Sequence, residues 1–395
     1  MINSLMLDFG RRSSTIRDLF EYGNAQKKIV GEDNVFDFSL GNPSVPPPKE
    51  VSEAIIDIVE HESAIKVHGY TTSAGNNETR DAIAAHLSKV YDRPFDRHNI
   101  FLTCGAAAAL TSCIKAFLLD STSEILAISP YFPEYERFVV GLGGVFKAAP
   151  ARTSDFQVDL PVFESMIGPK TQAVIINSPN NPSGAVYTEG TLRGVADALT
   201  RKSSEYGHPI YLMSDEPYRE LVYDGLKVPF VPDFYTNTII CYSYSKSLSL
   251  PGDRIGYMLV TDNMDDFDGV CWATAGAARS MGYVCAPALI QKVIARCADV
   301  PTDIESYDRN RRLLYGELVK MGYDCVHPDG AFYLFVKAPN GYSSKMFSNL
   351  AKKQNLLLVP GDDFGCPGYL RVSYCVSYDM IRRSLPTFKK LIDMK

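Results

Sequence analysis

The amino-acid sequence predicts an α/β fold, in which helices cover both faces of a mostly parallel sheet, together with a smaller α+β domain. The chain has 395 residues, which is enough for two domains at about 100–200 residues each. In the middle of the chain, short apolar runs alternate with polar turns and helical stretches, the pattern of a parallel sheet buried on both faces. From Tyr323 onward the pattern changes to that of a small α+β unit.

The composition is that of an ordinary globular protein. Hydrophobic residues make up 46% of the chain, charged residues make up 22%, and the formal net charge is −6. This mild acidity argues against a nucleic-acid-binding protein, which would carry a basic excess. No apolar run reaches the length of about 18 residues that a membrane-spanning helix needs, and the N-terminus does not look like a secretory signal. The nine cysteines are scattered without a C-x-x-C motif, so we expect free thiols in the reducing cytoplasm.

The N-terminal part of the chain is predicted to contain helices around one strand. Ile16, Leu19 and Phe20 have the i, i+3, i+4 spacing of an amphipathic helix. Residues 35–41 (VFDFSLG) read as a strand, and the prolines at 46–48 then break regular structure. Two further helices are expected, over residues 49–63 and 76–91.

Six short apolar runs then read as the strands of the sheet. They are NIFLT (99–103), EILAIS (124–129), TQAVIINS (171–178), PIYLMSD (209–215), TIICYSYS (238–245) and RIGYMLV (254–260). A long helical stretch over residues 286–320 separates them from the C-terminal unit. We expect the first forty or so residues to pack with that unit. This gives a large domain of residues 45–285 and a small domain of residues 1–44 and 286–395.

Polar residues at the ends of these runs are candidate site residues, because ligands of such sheets bind outside the carboxyl ends of the strands. Lys246 lies in a Ser/Tyr-rich turn, where a partly desolvated amine can form a Schiff base with an aldehyde. Asp215 ends the run PIYLMS, where a carboxylate can hold the protonated ring nitrogen of pyridoxal 5′-phosphate (PLP). An exposed loop lysine and a helix N-cap aspartate are the alternative interpretations.

Three further residues can contribute polar contacts. Tyr218, in DEPY, and Asn181, in the rigid turn NSPNNPSG (177–184), can donate to the ring oxygen of the same cofactor. A core tyrosine and an ordinary Asn-Pro turn are the alternatives. Arg371 lies inside the strand-like run GYLRVSY, where a charge is costly unless it is paired. Its planar guanidinium suits a substrate carboxylate, and an internal salt bridge is the alternative.

Small and hydroxylic residues predict a phosphate site. Gly105, Ala106 and Ala107 open a helix after the run IFLT, so their backbone N–H groups can approach a phosphate, although an alanine-rich helix that packs closely has the same sequence. Two hydroxyls and a guanidinium near Lys246 can complete the site: Ser243, Ser245 and Arg254. Neither a Walker A loop nor a strand-linked G-x-G-x-x-G motif occurs, which counts against nucleoside triphosphates and dinucleotides. The six histidines show no metal-ligand spacing, so no metal site is predicted.

Together these motifs resemble the fold-type I PLP enzymes of the class I/II aminotransferase group, the superfamily of aspartate aminotransferase. NSPNNPSG, SDEPY, SYSKSLSLPGDRIG and YLRVS occur in the family's order and at its usual spacings. The resemblance covers nearly the whole chain. It implies a mostly parallel seven-stranded sheet in the large domain, PLP as the cofactor, and a homodimer.

The resemblance also implies roles for individual residues. Lys246 matches the Schiff-base lysine, Asp215 the carboxylate at the ring nitrogen, and Arg371 the arginine that binds the α-carboxylate of the substrate. Tyr218 and Asn181 match the pair at the ring oxygen. The other matches are the phosphate ligands Gly105, Ala106, Ala107, Ser243 and Arg254, the ring-stacking Phe132, Tyr70, which reaches the phosphate of the neighbouring subunit, and Gly41, whose backbone approaches the substrate.

The activity that the resemblance implies is the ping-pong transfer of an amino group from an L-amino acid to a 2-oxo acid, with Lys246 as general base and acid. A cystathionine β-lyase-like C–S lyase and a 1-aminocyclopropane-1-carboxylate synthase share most of these residues and are alternatives. A non-catalytic PLP-binding regulatory protein is a remote alternative. Two positions depart from several relatives. Ala107 stands where some aspartate-using members carry a lysine for the distal carboxylate, and Phe132 replaces a tryptophan or tyrosine.

Overall fold

The computed structural model describes residues 2–11 and 14–394. Residues 1, 12, 13 and 395, which the predicted small domain includes, lie outside the described residues. The helices are α1 (Ser4–Arg11), α2 (Thr15–Val30), α3 (Lys49–His61), α4 (Ala64–His68), α5 (Asn77–Tyr91), α6 (Ala106–Phe117), α7 (Glu134–Gly141), α8 (Leu160–Met166), α9 (Glu189–Tyr206), α10 (Tyr244–Ser247), α11 (Phe267–Ser280), α12 (Ala288–Cys297), α13 (Ile304–Met321), α14 (Ser344–Lys352) and α15 (Tyr378–Ile392). The strands are β1 (Phe36–Asp37), β2 (Ile100–Thr103), β3 (Glu124–Ile128), β4 (Val145–Ala149), β5 (Thr171–Asn177), β6 (Tyr211–Asp215), β7 (Thr238–Ser243), β8 (Gly256–Val260), β9 (Tyr333–Lys337), β10 (Leu356–Leu357), β11 (Val359–Pro360) and β12 (Tyr369–Ser373). None of these helices combines the length and apolar character needed to cross a bilayer.

The largest sheet has seven strands in the order β2-β8-β7-β6-β5-β3-β4. Its neighbouring strands are parallel except at β8, which runs antiparallel to both β2 and β7. Every residue of β7 and β8 is buried, as expected where helices cover both faces of a sheet. The predicted α/β fold with a mostly parallel seven-stranded sheet is therefore confirmed.

Two smaller sheets lie in the C-terminal part of the chain, and one of them joins it to the N-terminal segment. Strands β11, β12 and β9 form an antiparallel sheet, and β1 pairs in parallel with β10. Leu19 and Val35 from the N-terminal segment share a buried cluster with Leu357, Val359 and Phe364. This packing supports a small domain built from both ends of the chain, and the exact domain boundaries stay a prediction.

The strand expected over residues 35–41 is shorter than predicted. Only β1 is paired as a strand. Phe38 still bonds through its backbone to Leu357 and Ser373, but beyond it the carbonyl groups accept hydrogen bonds from side chains. The Ser39 carbonyl accepts a hydrogen bond from Arg371, and the Gly41 carbonyl accepts one from Lys246. This segment therefore contributes backbone acceptors to a cavity instead of extending a sheet.

Two other local predictions also differ from the structure. The helix expected over residues 286–320 is divided into α12 and α13, because Pro301 cannot continue a helix and the Asp303 side chain caps the start of α13. Strand β4 was not among the predicted runs. It is a short edge strand that pairs only with β3 and carries Lys147, so it lacks the apolar pattern of the central strands.

Candidate active site

A cavity of about 290 Å3 opens at the carboxyl ends of β5, β6 and β7. This is the edge of an α/β sheet at which ligands bind. All of the predicted site residues except Gly105 and Tyr70 line it. The lining residues are Ile16, Gly41, Ala106, Ala107, Leu110, Phe132, Phe138, Asn177, Asn181, Asp215, Pro217, Tyr218, Ser243, Ser245, Lys246, Pro251, Arg254, Tyr333 and Arg371.

Lys246 is presented to the cavity by α10, a single turn that follows β7 directly. Its Nζ donates a hydrogen bond to the carbonyl oxygen of Gly41 at 2.6 Å. Burial lowers the pKa of the amine from 10.5 to about 8, because desolvation disfavours the cation. A lysine that deprotonates this readily is suited to act as a nucleophile and a base. The alternative of an exposed loop lysine does not fit this environment.

Asp215 ends β6 and lines the cavity, and one of its carboxylate oxygens has no hydrogen-bond partner among the described residues. The hydroxyl of Tyr135 donates to Oδ2 at 2.5 Å, whereas Oδ1 is buried without a hydrogen bond in the described part of the chain. Burial raises the pKa of Asp215 to about 7, against the lowering effect of the Tyr135 hydrogen bond. A buried carboxylate oxygen is costly unless it receives a donor. The protonated ring nitrogen of PLP is such a donor, so this residue fits the cofactor.

Two residues that support this arrangement were not predicted from the sequence. The Asn177 side chain donates to the carbonyl of Asp215 at 2.8 Å and accepts from the backbone N–H of Asn181 at 2.7 Å. Tyr135 lies in the same SPYFPEY segment as Phe132, but it belongs to α7, whereas Phe132 precedes that helix. Its contact with Asp215 depends on how α7 packs on the sheet, so the sequence carried no local signal for it. Asn177 opens the NSPNNPSG motif but carries no chemistry of its own that would single it out.

Arg371 is a buried cation without a carboxylate partner in the described part of the chain. Its side chain is 2% exposed. Nη1 donates to Oδ1 of Asn181 at 3.0 Å, Nη2 donates to the Ser39 carbonyl, and Nε has no partner among the residues that the structure describes. The two other buried arginines among the described residues, Arg219 and Arg311, each form an ion pair with a carboxylate. The internal salt bridge considered for Arg371 is therefore absent from the described structure, and a bound carboxylate would complete its environment.

Tyr218 and Tyr333 form a hydroxyl pair on the cavity wall. Their Oη atoms lie 2.9 Å apart, and burial raises the pKa of Tyr218 well above its ordinary value. Both phenols therefore stay protonated and can donate. The position of Tyr333 also explains why residue 41 is a glycine, because a Cβ atom at Gly41 would lie only 2.1 Å from the Tyr333 hydroxyl.

The predicted phosphate residues surround the start of α6. Gly105 precedes this helix with φ +83°, a conformation that favours glycine, and an added Cβ would lie 2.9 Å from Nη2 of Arg254. Arg254 donates to the carbonyls of Pro251 and Cys104 at 3.0 and 3.2 Å. The hydroxyls of Ser243 and Ser245, which line the same cavity, lie 2.7 Å apart. A helix N-terminus, two hydroxyls and a guanidinium form a site suited to a phosphate group.

Phe132 and Tyr70 lie in different surroundings. Phe132 lines the cavity, with its ring edge-to-face against Tyr135 at a centroid distance of 5.7 Å. Tyr70 follows α4, is 91% exposed and does not line the cavity. Tyr70 therefore lies away from the phosphate residues of its own chain, and its predicted role would require a second subunit.

A buried polar network lies behind α10. Arg219 pairs with Glu216 at 2.7 Å and its guanidinium lies 4.6 Å from the centroid of the Tyr242 ring. The Tyr242 hydroxyl is 2.9 Å from Glu220 Oε1 and 2.8 Å from Ser247 Oγ. Since the carboxylate of Glu220 can only accept, Tyr242 donates to it. The network thereby links the β6 side of the site to the helix that carries the lysine.

Comparisons with known proteins agree with these features. The family model for aminotransferase class I and II matches residues 33–386. The aspartate aminotransferase of Thermotoga maritima is 29% identical over 92% of this chain and 93% of its own length. An aromatic-amino-acid aminotransferase of Thermococcus litoralis is 28% identical over 97% of this chain and 96% of its own.

Solved structures give the same result. An aminotransferase from Eubacterium rectale has a TM-score of 0.96 and 49% identity, covering 99% of this chain and 98% of its own. The aspartate aminotransferase of Thermus thermophilus with maleate has a TM-score of 0.86 and 25% identity, covering 99% of both chains.

Proposed function

The chain belongs to the class I and II aminotransferases, and we propose that Lys246, Asp215 and Arg371 carry this family's reaction in it. The protein is a PLP-dependent enzyme that transfers an amino group between an amino acid and a 2-oxo acid. One observation supports the assigned roles above all others. Arg371, whose buried guanidinium has no carboxylate partner among the described residues, lines the same cavity as the desolvated amine of Lys246 and as Asp215, which keeps one carboxylate oxygen without a partner there. The relatives reported above are named as aminotransferases, so the β-lyase alternative is not favoured.

Each end of the cavity has residues suited to one part of PLP. Asp215 Oδ1 would accept the proton of the ring nitrogen, while Tyr218 and Asn181 would donate to the ring oxygen. Phe132 would pack against the ring. The phosphate would be held by the backbone amides of Gly105, Ala106 and Ala107 and the side chains of Ser243, Ser245 and Arg254. PLP, when bound, supplies an electron sink for the negative charge that forms at the substrate Cα.

The chain itself positions the substrate and moves the proton. Arg371 would bind the α-carboxylate through its guanidinium, and the backbone of Gly41 would line the same end of the substrate. Lys246 would then remove the proton from the substrate Cα as a general base. Its pKa of about 8 suits that task, because a base works best when its pKa lies near the working pH.

A half-reaction tests these roles. The purified holoenzyme is mixed with each L-amino acid without an oxo acid, and the visible cofactor band is followed. We expect one or more amino acids to abolish the band with formation of a stoichiometric amount of 2-oxo acid. Lys246→Ala should still bind PLP but should not turn over, whereas Lys227→Ala, an exposed lysine, should behave as wild type. Normal turnover by Lys246→Ala would refute the assigned roles, and steady release of ammonia and pyruvate would indicate a lyase.

We further propose a homodimer in which Tyr70 of one subunit completes the phosphate site of the other. Its 91% exposure, away from the cavity of its own chain, supports this arrangement. Tyr70→Ala and Lys246→Ala should each be inactive, but subunits mixed after unfolding and refolding should regain activity, because one site of each hybrid has both wild-type residues. No recovery would place Tyr70 elsewhere. A location in the reducing cytoplasm is proposed from the nine cysteines, all of which are free thiols.

A further inference from the structure

The cations that line the cavity already have functions at its polar end. Arg371 and Lys246 hydrogen-bond to backbone carbonyls of Ser39 and Gly41, on the segment that follows β1. Arg254 lies against the start of α6, with its guanidinium hydrogen-bonded to Cys104 and Pro251. Within the described residues, no other lysine, arginine or histidine lines the cavity. A second carboxylate on a substrate would therefore find no free cation of the described residues there.

The rest of the wall contains an apolar region formed by three helices. Ala107 and Leu110 lie three residues apart on α6 and thus share a face. Phe138 lies three residues after Tyr135 on α7, on the face that approaches Asp215. Ile16, near the start of α2, also lines the cavity. None of these four lining side chains can hydrogen-bond or carry a charge.

Two arginines lie close to this region but face a different depression. Arg17 directly follows the cavity-lining Ile16, and Arg137 directly precedes the cavity-lining Phe138. Both arginines nevertheless line a neighbouring hollow, together with Glu21 and Glu134. Arg137 forms an ion pair with Glu134, and Arg17 is exposed. The hollow therefore holds carboxylates of the chain itself beside its arginines, which weakens it as a site for an anionic substrate group.

We propose that the amino donor of this enzyme has an uncharged, apolar side chain, which packs against Ile16, Ala107, Leu110 and Phe138. The inference rests on the proposed function, since it takes Arg371 as the site of the α-carboxylate. An apolar side chain gains free energy by burying its surface on this wall. A side-chain carboxylate would lose its hydration there without gaining a cation. We therefore expect dicarboxylic amino acids to react more slowly than apolar ones.

Single-turnover kinetics of the holoenzyme test the proposal with L-leucine, L-phenylalanine and L-aspartate. We expect kcat/KM for at least one of the first two to exceed that for aspartate by about 100-fold or more, the upper range for a pocket that selects by apolar contact. An equal or faster reaction with aspartate would overturn the proposal. Loss of that aspartate reaction in Arg17→Gln would then identify the cation responsible.

Binding of unreactive carboxylic acids tests, independently of turnover, whether the pocket prefers an apolar or a charged side chain. The dissociation constants of 3-phenylpropanoate and succinate are measured with the holoenzyme by calorimetry. Tighter binding of 3-phenylpropanoate by about 10-fold or more is expected, and tighter binding of succinate would contradict the proposal. If no amino acid reacts, the assigned function fails, while this comparison still reports the character of the pocket.

A designed charge provides a matched pair of variants. Ala107→Lys places an ammonium group on the apolar wall, and Ala107→Met places an uncharged chain of similar length there. The lysine variant should raise kcat/KM for aspartate relative to phenylalanine by about 10-fold or more, and the methionine variant should not. The visible cofactor band verifies that both variants are folded and loaded. An unchanged ratio in Ala107→Lys would show that this wall does not contact the substrate side chain.

Discussion

Replacing Tyr135 by phenylalanine should weaken the binding of PLP and shift its pH dependence. The Tyr135 hydroxyl donates to Oδ2 of Asp215 at 2.5 Å, so it stabilises the ionised carboxylate. In the variant the pKa of Asp215 should rise further above the value of about 7 that burial already gives it. The cationic ring nitrogen of PLP needs the ionised carboxylate of Asp215. As the pH falls, the variant should therefore lose PLP binding at a higher pH than the wild type does.

The size of the effect follows from the geometry. A hydrogen bond to a charged acceptor contributes about 1.5–3 kcal/mol. At about 1.4 kcal/mol per tenfold change, this corresponds to PLP binding that is about 10–100-fold weaker. The same free energy raises the pKa of Asp215 by about 1–2 units. The phenylalanine ring occupies the same space, so packing against Phe132 should be retained.

The assay is a titration of the apoprotein with PLP, followed by absorbance over a range of pH. Tyr131→Phe is the matched control, because this tyrosine lies in the same segment but its hydroxyl does not contact Asp215. The control should keep the wild-type dissociation constant. If Tyr135→Phe binds PLP as tightly as the wild type at every pH, then Asp215 does not depend on this hydrogen bond and the reasoning is wrong.

Three further predictions concern stability. As the pH rises from about 8 to 10.5, the free energy of unfolding of the apoprotein should increase by up to about 3 kcal/mol relative to Lys246→Met, because the unfolded chain holds the lysine proton that the folded chain has released. Denaturant unfolding at several pH values measures this difference. If the free energy of unfolding depends on pH in the same way in both proteins, the prediction is wrong. Gly105→Ala should lower the free energy of unfolding by about 1–3 kcal/mol and weaken the binding of PLP. The loss should exceed that in Gly207→Ala, because Gly207 has ordinary left-handed backbone and open space around the added Cβ, whereas Gly105 combines φ +83° with ψ 175° and meets the Arg254 guanidinium. Equal losses in the two variants would contradict this reasoning. Tyr242→Phe should lower the free energy of unfolding in urea by about 1–3 kcal/mol, because Glu220 loses a hydrogen-bond donor while the aromatic ring is retained. An unchanged unfolding midpoint would indicate that another group donates to this carboxylate.

The central strands could be predicted because each is buried on both faces. β7 reads TIICYS in the sequence and all six residues are buried in the structure. The antiparallel direction of β8 could not be predicted, because a strand buried on both faces has the same composition in either direction. The edge strand β4 has one fully buried residue and was missed for that reason.

The site was predictable where a residue carries its chemistry in its own motif. Lys246, Asp215 and Asn181 each lie in a distinctive segment and line the cavity in the structure. The contact of Tyr135 with Asp215 joins residues 80 positions apart and depends on how α7 packs on the sheet, which no local pattern encodes. Whether Arg371 has an ion-pair partner could likewise be decided only when its surroundings were known.

The pairing of the chain ends has a consequence for the order of events during synthesis. The strands that carry Asp215 and lead to Lys246 are complete when β8 ends at Val260. Arg371 follows Lys246 by about 125 residues, which at about 5–20 residues per second takes the ribosome roughly 6–25 s. For most of that time Leu19 and Val35 lack Leu357 and the other partners of their buried cluster. The segment that leaves the ribosome first is therefore among the last to be buried.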